Sequence, residues 1–200
     1  MTVGISALGK FADLLGIVFT HEEQNTDENS KLTSPILNTL PVFTNDDNIK
    51  VSGFSPTGEK VEIYLDGDKV GEVILESGRF EYDLTLKTGE NEIAARTTSG
   101  ARQSELSSSV IVNFDKTVPK LEVTNPSEGQ SFYGDNKVPV EGKTERDAQV
   151  FVNGFLANVD SDGNFDVIIP IPEGDSELEV KALDDAGNTN IVKISVNIRK

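Results

Sequence analysis

The chain has 200 residues, of which 18 are basic, 34 are acidic and none is cysteine. Its net charge of −16 would repel a phosphate backbone, so nucleic acid is excluded as an expected partner. Without cysteine there is no disulfide, no thiolate nucleophile and no cysteine-ligated zinc.

Residues 1–20 are predicted to form a short amphipathic helix. Apolar side chains recur there every three or four positions, at Ile5, Leu8, Phe11, Ala12, Leu15, Val18 and Phe19. Lys10 and Asp13 interrupt the run, so a membrane-spanning helix is not expected, and a positive start and a cleavage site typical of a secretory signal are missing. Three interpretations stay open: a helix that docks on a membrane surface or a partner, the remnant of an anchor, and a disordered tail.

Residues 21–34, HEEQNTDENSKLTS, are predicted to be an acidic tether, because they contain almost no large apolar side chain to bury. After the tether the apolar period changes from helical to two. Inward-facing positions are predicted at Val61, Ile63, Leu65, Phe80, Tyr82, Leu84, Leu86, Phe165, Val167, Ile169, Leu178, Val180, Ala182, Val192, Ile194, Val196 and Ile198. This alternation predicts an all-β fold of short strands.

The two halves of the chain repeat each other. Residues 51–67 match residues 140–154, SGRF matches DGNF, and residues 88–97 match residues 173–182. A repeat this long is a whole domain and fits a small seven-stranded sandwich. We therefore predict two tandem β-sandwich domains, at residues 35–115 and 119–200.

These motifs resemble those of tandem bacterial immunoglobulin-like (Ig-like) domains, of the glucodextranase-B-like or Big type. The resemblance rests on the LDG and VNG turns, SGRF and DGNF, TGENEI, DDAGNT and the junction DKTVP, and it covers about residues 35–200. It implies an Ig-like fold in a cell-surface adhesin, a stalk or S-layer protein, or an accessory module of a glycoside hydrolase. The first repeat departs from the pattern, since it has TTSGA where the second has DDAGN.

The segment DSDGN offers one candidate calcium loop. Asp160, Asp162 and Asn164 stand at alternate positions and carry oxygens that Ca²⁺ accepts. In the first repeat the carboxylates are missing while Gly78 and Phe80 persist. The pattern therefore favours a hairpin turn, in which glycine supplies a positive φ and phenylalanine enters the core.

A second calcium site is implied by the family resemblance, because some related adhesin domains are stiffened by Ca²⁺ at the junction. The residues to test are Asp115, Asp184 and Asp185. The alternative is a short linker, restricted by proline, with ordinary solvated acids. Calcium is the only cofactor that the sequence leaves open.

No catalytic residue is expected. The single histidine, His21, lies in the tether, so no Ser-His-Asp or Cys-His arrangement is predicted, and no phosphate-binding loop or paired-histidine zinc motif occurs. Tyr64 and Phe151 occupy matching positions and alternate away from the core. They form a candidate surface for sugars or partner proteins, with packing on a neighbouring hairpin as the alternative.

The sequence thus favours a non-enzymatic spacer, display or adhesion protein at a bacterial cell surface, with an N-terminal membrane anchor left open. Other surface proteins or glycans are the expected partners. One alternative is a filament or pilus subunit that assembles as a homo-oligomer through its N-terminal segment by helix packing or strand addition. The other is a carbohydrate-binding accessory module.

Overall fold

The computed structural model describes residues 31–134 and 136–199, and within these residues all regular structure is β. The predicted all-β fold is confirmed. The predicted helix at residues 1–20 and most of the tether lie outside the described residues. No described helix is long and apolar enough to cross a membrane.

The strands up to residue 114 form two facing sheets, here called the N-terminal sandwich. The strands are β1 (Ile36–Leu37), β2 (Phe43–Thr44), β3 (Asn48–Phe54), β4 (Lys60–Leu65), β5 (Asp68–Ile74), β6 (Arg79–Thr85), β7 (Gly89–Ser99), β8 (Arg102–Gln103) and β9 (Val110–Phe114). One sheet has the order β1-β3-β6, and the other has the order β2-β9-β7-β4-β5, with β8 paired to β7. All pairs are antiparallel except β2 with β9, which is parallel.

The strands after residue 120 form a second pair of sheets, the C-terminal sandwich. They are β10 (Leu121–Asn125), β11 (Gln130–Tyr133), β12 (Lys137–Thr144), β13 (Gln149–Val152), β14 (Phe155–Leu156), β15 (Asn158–Val159), β16 (Asn164–Pro170), β17 (Gly174–Leu183) and β18 (Thr189–Arg199). The sheet orders are β10-β12-β16-β15 and β11-β18-β17-β13-β14. As in the first sandwich, a strand near its start, β11, runs parallel to its last strand, β18.

Each sandwich has its own apolar core between its two sheets. Most of the alternating residues predicted to point inward are buried, among them Ile63 in the first core and Ile169 and Leu178 in the second, while Tyr82, Val167 and Val192 are half-buried against these cores. No described sheet combines strands from both halves. The boundaries of the two domains, residues 35–115 and 119–200, stay a prediction. Only the separated halves can show whether each of them folds independently.

A glycine and a phenylalanine explain the motif that the two repeats share. Gly53 pairs with Phe80 across β3 and β6, and Gly142 pairs with Phe165 across β12 and β16. A Cβ at either glycine would overlap the phenylalanine ring and a carbonyl oxygen of the first strand, from Ile36 or from Glu122. The glycine therefore lets the ring lie flat on the strand while β1 or β10 approaches closely.

The chain takes different paths after the LDG and VNG turns. In the N-terminal sandwich, β5 pairs with β4 along its whole length and leaves the outer edge of β6 without a strand. In the C-terminal sandwich, β14 pairs briefly with β13, and then β15 crosses to the other sheet and pairs with β16. The three-stranded sheet of the first sandwich thus lacks the edge strand that completes the second.

Candidate functional site

The junction between the sandwiches encloses a cavity of about 230 Å³. Its walls come from both sandwiches: Phe43, Asn113, Asp115, Glu145, Asp147, Ala148, Asp184, Asp185 and Ala186. Asp115, Asp184 and Asp185, which the sequence singled out, are therefore brought to one place. Glu145 and Asp147 lie beside them, although no sequence pattern had indicated these two acids.

The loop at residues 184–188 holds its shape through one aspartate and one asparagine. The carboxylate of Asp184 accepts the backbone N–H of Asn188 at 2.8 Å and the side-chain amide of Asn188 at 2.9 Å. Gly187, at φ 93°, supplies the left-handed residue that this tight turn between β17 and β18 needs. Asn188 itself is only 6% exposed.

The same asparagine binds the linker between the two sandwiches, residues 115–120. Its side-chain nitrogen donates to the backbone carbonyl of Asp115 at 2.9 Å, so both amide hydrogens have an acceptor. Two residues on, Asn190 donates to the carbonyl of Pro119 at 2.9 Å, and Thr144 donates to the carbonyl of Lys120 at 2.8 Å. The linker is therefore fastened to the C-terminal sandwich near both of its ends.

The acids of the junction serve turns and linker geometry in the structure. The backbone N–H of Thr117 donates to the Asp115 carboxylate at 2.8 Å and holds the pKa of this carboxyl below its ordinary value. Among residues 31–134 and 136–199, no three acidic or histidine side chains are arranged to hold a metal ion. Calcium at Asp115, Asp184 and Asp185 stays a prediction.

The hairpin between β15 and β16 contains the other candidate loop. The Asp160 carboxylate accepts the backbone N–H groups of Asp162 and Asn164 and the side-chain amide of Asn164, each at 2.9 Å. The side chain of Asn164 makes the largest contribution to holding the pKa of Asp160 below its usual value. In the described geometry these oxygens close the turn, and a calcium ion at Asp160, Asp162 and Asn164 stays a prediction.

The matching hairpin of the N-terminal sandwich is one residue shorter. Glu76 and Arg79 exchange backbone hydrogen bonds across Ser77 and Gly78, whereas Asp160 and Asn164 enclose three residues. Asp160 therefore corresponds to Glu76, not to Leu75, which an alignment of the glycines alone would select. Gly78 and Gly163 have φ values of 79° and 81°, as a hairpin turn requires.

Tyr64 lies on the outer face of β4 inside a group of charged side chains. Its hydroxyl donates to Glu62 at 2.9 Å, and the guanidinium of Arg96 lies 5.5 Å from the ring centre. Desolvation, followed by the Glu62 hydrogen bond, raises the pKa of Tyr64. Lys69 bridges Glu62 and Glu72 at 2.7 and 2.9 Å, so the tyrosine is enclosed by ion pairs.

Phe151 has a different environment on the outer face of the C-terminal sandwich. In register across the sheet it stands between Leu156 and Lys181, and Lys181 stands opposite Ile191. Leu156 is 61% exposed and Ile191 is 48% exposed. Phe151 thus belongs to an accessible row that is largely apolar, whereas Tyr64 does not; a binding role for either residue stays a prediction.

Sequence reasoning missed the two asparagines that hold the linker. Asn188 belongs to the DDAGN motif that carried the family resemblance, but the prediction concerned only the carboxylates of this motif, as calcium ligands. The available signal was the first repeat, where TTSGA lacks both the aspartate and the asparagine. The spacing alone is not a sufficient signal, because Asp160 and Asn164 are also four positions apart and make the same hydrogen bonds in the hairpin between β15 and β16.

Comparisons with known proteins support the fold. Residues 119–199 match the family described as glucodextranase, domain B. Bacillopeptidase F from Bacillus subtilis (strain 168) is 31% identical over 171 residues, which make up 84% of this chain and 12% of the relative. The chain thus spans only a small part of the length of this curated relative.

Two solved structures show the same architecture. The fibronectin(III)-like modules of Clostridium thermocellum CbhA match with a TM-score of 0.58 and 17% identity, over 82% of this chain and 94% of theirs. The I-band fragment I67-I69 from titin matches with a TM-score of 0.52 and 9% identity, over 84% of this chain and 66% of its own. At these identities the likeness concerns the fold, and the predicted resemblance to Ig-like domains is confirmed.

Proposed function

We propose that the chain is a non-catalytic spacer within a bacterial extracellular or cell-surface protein, where it holds neighbouring regions at a fixed distance and orientation. The observation that carries this proposal is the fastening of the linker by Asn188 and Asn190. A flexible connection between the two sandwiches would not need a buried asparagine that hydrogen-bonds the linker. An ordered joint instead transmits orientation from one sandwich to the next.

The proposed extracellular location rests on the proteins in which similar sequences occur. The family that matches residues 119–199 is named for a domain of a glucodextranase, and the 31% identical relative is named as a peptidase of a Bacillus species. In both names the enzymatic activity belongs to a larger protein. The absence of cysteine and the net charge of −16 fit a module that folds without disulfides and stays soluble.

The experiment measures the distance between two spin labels, one on each sandwich. Since the natural chain has no cysteine, Asp68→Cys and Glu122→Cys introduce the two attachment points without competition. We expect a single narrow distance distribution, which Asn188→Ala broadens because the linker loses its hydrogen bond to the side chain.

Asn158→Ala is the matched control, because Asn158 also donates through its side chain, at 3.3 Å, but to Asp166 of the same sandwich instead of to the linker. It should leave the distribution narrow. A broad distribution in the natural chain, or equal broadening by both substitutions, would contradict the spacer function.

A second function is favoured by one feature of the C-terminal sandwich. A cavity of about 430 Å³ lies over its four-stranded sheet and is lined mainly by polar side chains that can bind sugar hydroxyls, among them Glu141, Lys143, Asn158 and Asn164. Carbohydrate binding would be measured on a glycan array with the full chain. Asn164→Ala should remove any signal that arises in this cavity, and Phe151→Ala should remove one that arises on the opposite sheet.

A further inference from the structure

The outer edge of β6 is an unpaired strand edge among the described strands of the N-terminal sandwich. Among the described strands, β6 pairs with β3 on one side only. Phe80, Tyr82 and Leu84 turn their backbone groups toward β3, as the bond from Ser55 N–H to Gly78 O in the same ladder indicates. The backbone groups of Glu81 and Asp83 therefore point to the unpaired side.

The C-terminal sandwich shows what occupies the same place. β16 is the counterpart of β6, and there Asn158 of β15 stands opposite Asp166, which corresponds to Glu81. Val159 of the same strand packs against the core, while Asn158 donates to the Asp166 carboxylate at 3.3 Å. An apolar residue facing inward and a donor facing a carboxylate complete this edge within the chain.

The N-terminal sandwich leaves a gap there instead. A cavity of about 340 Å³ separates β5 from β6 and is lined by Val73, Ile74, Glu76, Arg79, Phe80 and Glu81. Ile74, which corresponds to Asn158, pairs with Lys60 in the other sheet and is 67% exposed. The gap is bridged by Tyr82, whose hydroxyl donates to the carbonyl of Val70 at 3.1 Å.

The acidic side chains beside this edge favour a partner strand of positive charge. Glu76, Glu81 and Asp83 are exposed along it, with Arg79 and Lys50 as the basic residues nearby, and Lys50 is paired with Glu81 at 3.0 Å. A second copy of β6 is a poor partner, because an antiparallel pair centred on Glu81, Tyr82 or Asp83 sets carboxylate against carboxylate. A basic strand would be attracted, in a molecule of net charge −16.

We propose that the edge of β6 binds an extended basic segment of another protein by strand addition, with lysine or arginine opposite Glu81 and Asp83 and an apolar residue between them. The added strand takes the place that β15 takes in the C-terminal sandwich. Backbone hydrogen bonds supply affinity, and the carboxylates supply specificity. This interaction is separate from the spacer function, since it uses no residue of the junction.

The experiment titrates the isotope-labelled full chain with two synthetic probes of equal sequence and charge. Each probe is a capped peptide, Lys-Val-Lys-Val-Lys, and one carries N-methyl groups on its valines while the other carries them on its lysines. The residue opposite Glu81 uses its own backbone N–H toward β6, as Asn158 does toward Asp166. Methylation of the valines therefore spares the pairing, whereas methylation of the lysines removes it.

We expect the valine-methylated probe to slow hydrogen exchange at the Glu81 and Asp83 amides and to bind about tenfold or more tightly than its lysine-methylated counterpart. Equal binding of the two probes would overturn the proposal, because it would mean attraction by charge alone. Signals that shift mainly outside β6 would overturn it as well.

Two substitutions of identical charge change locate the site. Asp83→Lys, on an exposed position of β6, should lower the affinity for the valine-methylated probe about tenfold. Glu122→Lys, on the other sandwich, should change this affinity less than about twofold. Equal losses would contradict the proposal. Concentration-dependent self-association that Asp83→Lys alters would also contradict it, since the occupant would then be a second copy.

Discussion

Tyr64 and Phe151 hold equivalent places on two copies of one sandwich, yet their surroundings differ in kind. Tyr64 is enclosed by Glu62, Arg96 and the lysine between two glutamates, while Phe151 lies in a row with Leu156 and Ile191. The inward alternation and the glycine–phenylalanine pairs recur in both copies, whereas the strands after the LDG and VNG turns join different sheets. The comparison teaches that the repeated residues maintain backbone geometry, and that the outer faces and edges are where the copies have become different.

The largest expected effect tests the part that the copies share. Phe80→Ala and Phe165→Ala each remove a ring that is at most 3% exposed, and each should cost about 3–5 kcal/mol in the free energy of unfolding of its own sandwich. Urea denaturation followed by residue-resolved NMR would separate the two halves. Each substitution should shift one half and leave the other within error; a joint shift would contradict the two predicted domains.

The second effect concerns the glycines beneath those rings. Gly53→Ala and Gly142→Ala force a methyl group against the ring and a carbonyl oxygen, so each should destabilise its sandwich by about 2–3 kcal/mol. Gly67→Ala is the control, because its Cβ would meet nothing within 4 Å and only its φ of 84° resists the change. It should cost about 1 kcal/mol. Gly53 and Gly142 are not among the glycines with a positive φ, so a cost of Gly142→Ala no larger than that of the control would contradict the role of close approach.

A smaller effect tests the point where the copies differ. Tyr64→Phe removes the hydroxyl bound to Glu62 and should cost about 0.5–1.5 kcal/mol in the free energy of unfolding of the N-terminal sandwich. The reciprocal change, Phe151→Tyr, adds a hydroxyl on an open face and should stay within about 0.5 kcal/mol of the natural chain. Thermal unfolding of both variants provides the measurement. If the two changes cost the same, the faces are energetically alike.

The smallest effect is a dependence of stability on pH. Hydrogen bonds from Lys60 and Lys69 lower the pKa of Glu72 to about 2, and Lys69 also lowers the pKa of Glu62. Because these pKa values are depressed in the folded state, the stabilisation is present above the ordinary glutamate value of 4.5 and is lost as the pH falls toward about 2. The effect is small because the side chains of Lys60, Lys69 and Glu72 are 41–46% exposed, so solvent screens most of these pairs, although Glu62 is largely covered.

The variant Lys69→Met should reduce this loss of stability on acidification for the N-terminal sandwich alone. Unfolding midpoints measured at a series of pH values from neutral to acid would check it. An unchanged acid dependence, or an equal change in the C-terminal sandwich, would show that the carboxylates around Tyr64 are not its source.

The sequence sufficed for the fold because alternation and glycine turns are local signals. Alternation alone predicts a strand at Val61, Ile63 and Leu65, and it also predicts one over the run from Val192 to Ile198. The path after each turn was not predictable, since Asp68–Ile74 and the residues after Gly154 differ in which sheet they join, and that choice depends on contacts distant in sequence. The roles of Asn188 and Asn190 were hidden for the same reason: their acceptors lie 73 and 71 positions away.

The parallel pairing of an early strand with the last strand in each sandwich has a mechanical consequence. A pull that draws the two ends of the chain apart runs along β2 and β9, and along β11 and β18, so their hydrogen bonds are loaded side by side rather than opened one after another. In the first parallel pair β2 contributes only Phe43–Thr44, whereas in the second β11 contributes Gln130–Tyr133. Under tension the N-terminal sandwich should therefore yield first and lengthen the molecule while the C-terminal sandwich still bears the force.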